Sequence, residues 1–166
     1  MKRSLFAGAL LAAVMLPAGA NAQETIKIGV ISAFSGQFAD TSAQIDNGIK
    51  LYMKQHGDKV AGKKIEIIRK DTGGPNPDVA KRLAQELVVR DKADILAGFA
   101  LTPEALGAAG VADEAKKFMV VMNAATAVVT EKSPYIARVS LTLPMIGETL
   151  GTWAVKKGGV KKAYTM

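Results

Sequence analysis

The strongest constraint on the fold is an alternation of short apolar runs with longer segments of helical spacing. Residues 25–31 are β-rich, with Ile26, Ile28, Val30 and Ile31. Over 42–55, Ile45, Ile49, Leu51, Tyr52 and Met53 fall near one helical face, and His56-Gly57 ends that helix. Residues 64–69 alternate Ile65, Ile67 and Ile68 with charge, and Thr72-Gly73-Gly74-Pro75 predicts a turn. Asn76-Pro77-Asp78 then predicts a helix start: a capping amide, a proline in the first turn and an acid near the positive end of the helix dipole. Further strands are expected over 93–99, 118–122 and 135–140, with helices starting near Thr102-Pro103 and spanning about 144–157. Residues 161–166 read as one more strand just starting. Strands that read as apolar runs and alternate with helices imply an α/β fold: an open parallel sheet with helices on both faces, joined by right-handed crossovers.

The first 22 residues have a separate logic. Lys2 and Arg3 give a basic start, residues 5–16 an apolar run, and Ala20-Asn21-Ala22 the small residues a signal peptidase reads. The run is shorter than the roughly 20 apolar residues of a spanning helix, so a cleaved signal peptide over 1–22 is expected, with Gln23 first in the mature chain. No cysteine follows to take a lipid anchor, and the chain has none anywhere, which excludes disulfides and thiolate chemistry. The formal charge is +7, or +5 once Lys2 and Arg3 are removed. Eight of its lysines fall in four pairs at element ends, such as Lys63-Lys64 and Lys116-Lys117, and no basic stripe interleaves with aromatics. That pattern reads as solvated surface, and no nucleic-acid partner is expected.

In open parallel sheets, ligands bind beyond the carboxyl ends of the strands. Three loops qualify: Ser32-Ala33-Phe34-Ser35-Gly36, Gly98-Phe99-Ala100-Leu101-Thr102 and Asn123-Ala124-Ala125-Thr126. They offer hydroxyls, small residues and backbone N–H groups rather than strong acids or bases, an inventory suited to holding a small anion. Thr102 is placed to cap a helix and, equally, to receive a carboxylate with the free N–H groups of the next turn. Glu104 in that turn would repel an anion unless it faces away. Thr126, on pattern alone, is first a turn residue; Phe34, Phe38 and Phe99 are equally pocket lining and core.

Enzymatic readings lack parts. His56 is the single histidine, too few for a triad or zinc site. Ser35 is flanked by Ala33 and Gln37 where a nucleophile elbow needs glycines. The first strand is not followed by G-x-G-x-x-G, and no Walker A motif occurs, so no nucleotide cofactor is expected. Asp71 reads as a turn residue.

With these loops placed, the sequence resembles the branched-chain amino acid-binding family of periplasmic proteins, the Leu/Ile/Val-binding type. The resemblance rests on Ile26-Lys27-Ile28-Gly29-Val30 leading to Ser35-Gly36, on Gly48, on Val60-Ala61-Gly62-Lys63-Lys64-Ile65 leading to Asp71, and on Asn76-Pro77. Its most specific piece is Asn123-Ala124-Ala125-Thr126-Ala127, similar to the family's Pro-Ala-Ala-Thr-Ala loop. The resemblance implies a type I periplasmic binding protein fold and a ligand grip through Thr102, Thr126 and the Ala124 carbonyl; from their strand-end loops, Ser35 and Phe99 are expected as further ligand-binding residues. Thr102 stands where Ser is more usual; Thr41 stands where some relatives carry an aromatic contact. It also implies a first lobe over 23–141, and a hinge crossing with the start of a second lobe over 142–166. The expected role is solute capture in the periplasm for the membrane permease of an ABC importer, the ligand being an amino acid or other small carboxylate, aromatic acids included. A receptor input domain and an exported α/β enzyme are the alternatives. Half of such a clamshell, on its own, is expected to be poorly soluble.

Overall fold

A computed structural model describes residues 24–164; the expected signal peptide and its cleavage point lie outside these residues. Six strands form one sheet in the order β2-β3-β1-β4-β5-β6. These are β1 (Thr25–Ser32), β2 (Lys59–Val60), β3 (Lys63–Asp71), β4 (Ile95–Gly98), β5 (Phe118–Val121) and β6 (Ile136–Arg138). All neighbours pair in parallel except β2 with β3. The β2–β3 hairpin adds an antiparallel arm to the expected parallel sheet. Its two-residue turn, Ala61-Gly62, has positive φ at both positions (49° and 78°), the geometry whose twist matches paired strands.

Four helices complete the unit: α1 (Ala39–His56), α2 (Pro77–Val89), α3 (Thr102–Glu114) and α4 (Leu143–Lys156). Asn76 caps α2 as expected, its side chain accepting from the Val79 N–H at 3.1 Å, with Pro77 first in the helix. Helices α2 and α3 pack beside each other over the core, where Leu83, Leu87, Leu96, Phe99, Met119 and Val121 are buried. A Cβ on Gly107 of α3 would lie 2.2 Å from the Pro77 carbonyl oxygen, so glycine lets the helix backbones approach.

Helix α1 is held differently. Its buried residues are polar, Ser42 and Asp46. The Ser42 hydroxyl bonds that of Ser32 at 2.7 Å, while Asp46 pairs with Arg69 at 2.5 Å and Lys50 at 2.6 Å. Of the expected apolar face, Ile45, Ile49 and Met53 are half-buried, while Leu51 and Tyr52 are exposed. An open apolar groove between α1 and the sheet is lined by Ile28, Tyr52, Ile65, Ile67, Ile95 and Phe118, among others. Residues 159–164 form no strand, contrary to the reading of 161–166 over its described part; residues 165 and 166 lie outside the described residues. A strand exists through its pairing, and 161–164 pair with no strand among the described residues.

Candidate functional site

The sheet order fixes where a crevice opens. From β1 the chain runs to β3 on one side, then crosses to β4 on the other, so the connections diverge at β1 and β4. Ligand crevices lie beyond the carboxyl ends of strands at such a switch point. Here the approach of β4 to β1 is close: Gly98 has φ 103°, and a Cβ on it would meet the Ile31 carbonyl oxygen at 2.4 Å. Phe99 follows with φ 60°, unusual for a bulky residue. Its N–H donates to Ile31 O at 2.7 Å, and its carbonyl accepts from the Ala124 N–H at 3.0 Å. The Phe99 side chain is wholly buried in the core. Of the two roles open from sequence, packing is the one its side chain fills, and the site end receives its backbone.

Thr102 and Thr126, 24 residues apart, meet with their hydroxyls 2.8 Å apart, both half-buried. One hydroxyl donates to the other, which leaves the second O–H hydrogen free to donate outward. Thr102 is not the helix cap. Leu101 occupies that position in extended conformation, Thr102 is the first helical residue, and Pro103 follows. Glu104 does the capping: Oε2 accepts from the Leu101 N–H at 2.9 Å, and Oε1 accepts from the Thr72 hydroxyl at 2.5 Å. The Thr102 hydroxyl is therefore spared for Thr126.

Glu104 is fully buried. Burial pushes its carboxyl above the usual range, against the bonds from Thr72 and Leu101, and nearby Asp71 adds to the rise. Both oxygens are turned to Thr72 and Leu101, which answers the repulsion its sequence position suggested.

Ala124 is buried, and its carbonyl, the expected ligand contact, accepts from Arg138 Nη1. Arg138 Nη2 donates to Thr126 O at 2.6 Å. The Asn123 amide donates to Ala100 O at 2.8 Å, tying the loop to the end of β4. Among the described residues, no carboxylate pairs with Arg138. Its half-buried charge therefore stands beside the hydroxyl pair without an acidic counterpart.

Ser35 lies exposed on the neighbouring loop, where Asp71 Oδ1 accepts from the N–H groups of Phe34 (2.8 Å), Ser35 (3.2 Å) and Gly73 (2.8 Å). Burial alone would raise the Asp71 carboxyl, but these bonds and the Ser35 hydroxyl outweigh it and hold it below the usual range. Thr102, Ala124 and Thr126 thus converge; Ser35 does not hydrogen-bond to them among the described residues. Sequence reasoning missed Arg138. The available signal was its isolation: it is the one basic residue between Lys132 and Lys156, within an apolar run. Among the described residues, no cluster of His, Asp or Glu could hold a metal ion.

A family model described as periplasmic binding protein matches residues 25–166. The chain belongs to the periplasmic binding protein family. A Leu/Ile/Val-binding protein homolog of Brucella abortus is 39% identical over 156 residues, which is 94% of this chain and 40% of the relative. A solute-binding protein of Rhodopseudomonas palustris BisB5, solved with 3,4-dihydroxybenzoic acid, is 54% identical over 81% of this chain and 37% of that one, with a TM-score of 0.78. A second R. palustris solute-binding protein, solved with 4-hydroxybenzoate, is 43% identical over the same shares, with a TM-score of 0.79. This periplasmic binding protein chain therefore spans about two fifths of the length of these relatives. Its α/β sheet is that of the type I members, and no helix among the described residues is long and apolar enough to cross a membrane.

Proposed function

We propose that this protein is the solute-binding component of an ABC importer and captures an aromatic carboxylate of the hydroxybenzoate class in the periplasm. The observation that carries the reading is the Thr102–Thr126 hydroxyl pair, set at the switch point beside the Arg138 guanidinium. A free hydroxyl hydrogen, the first-turn N–H groups of α3 and an acid-free positive charge together favour an anion. Neutral imidazole bases, thiols and carboxylate pairs are not part of this site, so the arrangement holds a ligand rather than activating a nucleophile. The aromatic choice is supported by relatives at 43% and 54% identity that were solved with hydroxybenzoates. Residues 142–166 enter the second lobe, which closes over the ligand by a hinge motion. Residues 1–22 are the export signal, and the loaded protein docks on the membrane permease.

The test is a two-dimensional NMR titration of the ¹⁵N-labelled chain from Gln23, carrying Leu150→Lys and Trp153→Lys to cover its exposed apolar row; the method detects even weak binding by a single lobe. Added 4-hydroxybenzoate is expected to shift the Thr102 and Thr126 amides saturably, and more strongly than leucine does. Thr126→Val should weaken that binding by about tenfold, the loss of one hydrogen bond to a charged group. Unperturbed Thr102 and Thr126 amides across a panel of aromatic and amino acids would overturn the reading; a stronger response to leucine would move the ligand class to amino acids.

A further inference from the structure

The 123–126 loop has no regular structure and must satisfy its backbone groups one by one. On one side it hangs from the end of β4, through the Ala124 N–H to Phe99 O and the Asn123 amide to Ala100 O. On the other side, three successive carbonyls meet the last residue of β6 and the first residue of α4. Ala124 O accepts from Arg138 Nη1, Ala125 O from the Leu143 N–H at 2.9 Å, and Thr126 O from Arg138 Nη2. Thr126 O is also within 3.3 Å of the Val129 N–H, so Arg138 is the tether of this carbonyl that comes from outside the loop's own continuation. Leu143 is the first residue of α4. The loop that carries Thr126 is therefore tied directly to the start of that helix.

We propose that Arg138 is a positioning residue for this loop: its forked guanidinium clamps the carbonyls of Ala124 and Thr126, holds the Thr126 hydroxyl against Thr102, and couples the loop to the segment leading into α4. The planar fork suits the task, because two N–H groups on one rigid plane fix two acceptors at once, which a lysine ammonium on a flexible stem does not. Without it, the Ala124 and Thr126 carbonyls lose a charged donor, and of the three ties only the Leu143 N–H to Ala125 O remains. The link runs both ways: a ligand that fixes Thr126 also fixes the start of α4. This inference rests on the proposed site for its effect on binding, but the clamp itself exists without ligand.

The experiment reads the two separately. Amide hydrogen exchange is followed in the ligand-free chain at Leu143, whose N–H bonds Ala125 O, and at Met119, whose N–H bonds Tyr135 O at the opposite end of β5. In Arg138→Gln, Leu143 exchange should rise about tenfold while Met119 is unchanged, because local opening is read apart from global unfolding. Binding of 4-hydroxybenzoate should weaken about tenfold in the same variant. Arg138→Lys, which keeps the charge but not the fork, should also free Leu143; it serves if the glutamine variant does not fold. Equal exchange at Leu143 in wild type and variants overturns the clamp, as does an increase spread evenly to Met119. If the wild-type chain binds no carboxylate, the functional reading fails while the exchange result still decides the clamp. If the clamp is released and affinity is unchanged, the positioning role is overturned.

Discussion

Helices α2 and α4 begin with the same local grammar and end in opposite environments. Each has a polar cap, Asn76 or Thr142, whose side chain accepts from the N–H three residues on, and each has a proline in its first turn. Each carries a row of large apolar residues. Yet α2 buries Ala80, Leu83, Ala84 and Leu87, whereas α4 buries nothing and leaves Leu143, Ile146, Leu150 and Trp153 at least 45% exposed. The caps explain why both segments are helical, since they satisfy N–H groups that the helix cannot. They say nothing of whether a partner surface exists. For α2 that surface is β1 and α3; for α4 no comparable contact occurs among the described residues. Local chemistry makes a helix, and only neighbours give it an inside.

The largest expected effect separates the two helices by truncation. Leu87 is fully buried, and its Cδ1 lies 2.6 Å from where a Cβ on Gly29 would sit. Leu87→Ala should cost about 3 kcal/mol in denaturant unfolding, from lost burial and the cavity left behind. Leu150→Ala, at 62% exposure, should stay within about 0.5 kcal/mol. An equal loss at both positions would break the contrast and show that α4 has a partner in solution. Leu150→Lys with Trp153→Lys should raise the solubility limit, measured by light scattering, as removal of an exposed apolar face predicts.

A smaller effect tests the caps. Asn76→Ala should cost about 1 kcal/mol by chemical denaturation, the usual loss for a capping amide. Thr142→Ala, whose bond to the Met145 N–H is 3.4 Å long, should cost only about 0.5 kcal/mol, the low end for a cap. A larger loss at Thr142 would mean that the tie of Leu143 to Ala125 depends on this cap.

The smallest effect concerns the turns that feed the two helices. The turn into α2 is held by Asp71, whereas residues 139–147 contain no acid. Because the Asp71 carboxyl lies below its ordinary value when folded, its contribution is present above the unfolded value. That contribution is lost as pH falls through the folded value. Acid titration of thermal stability should therefore show a shallower loss in Asp71→Asn than in wild type. An unchanged acid limb would show that the three N–H bonds to Asp71 do not distinguish its charged form.

Much of the fold was legible. The apolar runs at 25–31, 64–69 and 118–122 are strands, the Asn76 start is where a helix begins, and a parallel sheet follows from their alternation. Shorter or misplaced features escaped for physical reasons. The β2 arm is two residues long, below the length at which alternation can be read. The α3 cap lies at Leu101, one residue before the Thr102 that the sequence points to, because a threonine before proline carries the usual signal while the buried Glu104 that serves Leu101 reads as surface charge. Thr102 and Thr126 stood out through their loop and the family resemblance. Arg138 did not, since a backbone-binding arginine leaves no motif.

By itself, then, the sequence determined periodicity and therefore the elements, because helical and extended spacing are properties of neighbours along the chain. It determined also which loops lie at strand ends. Strand order belongs to the tertiary structure, and with it which loops meet. Thr72 reaches Glu104 across 32 residues, Thr102 reaches Thr126 across 24, and Arg138 reaches back 14 residues to Ala124. Each contact depends on strands lying side by side, which the side-chain pattern of one strand does not encode. The same holds for α4, whose apolar row is written in the chain while its burial depends on what packs against it.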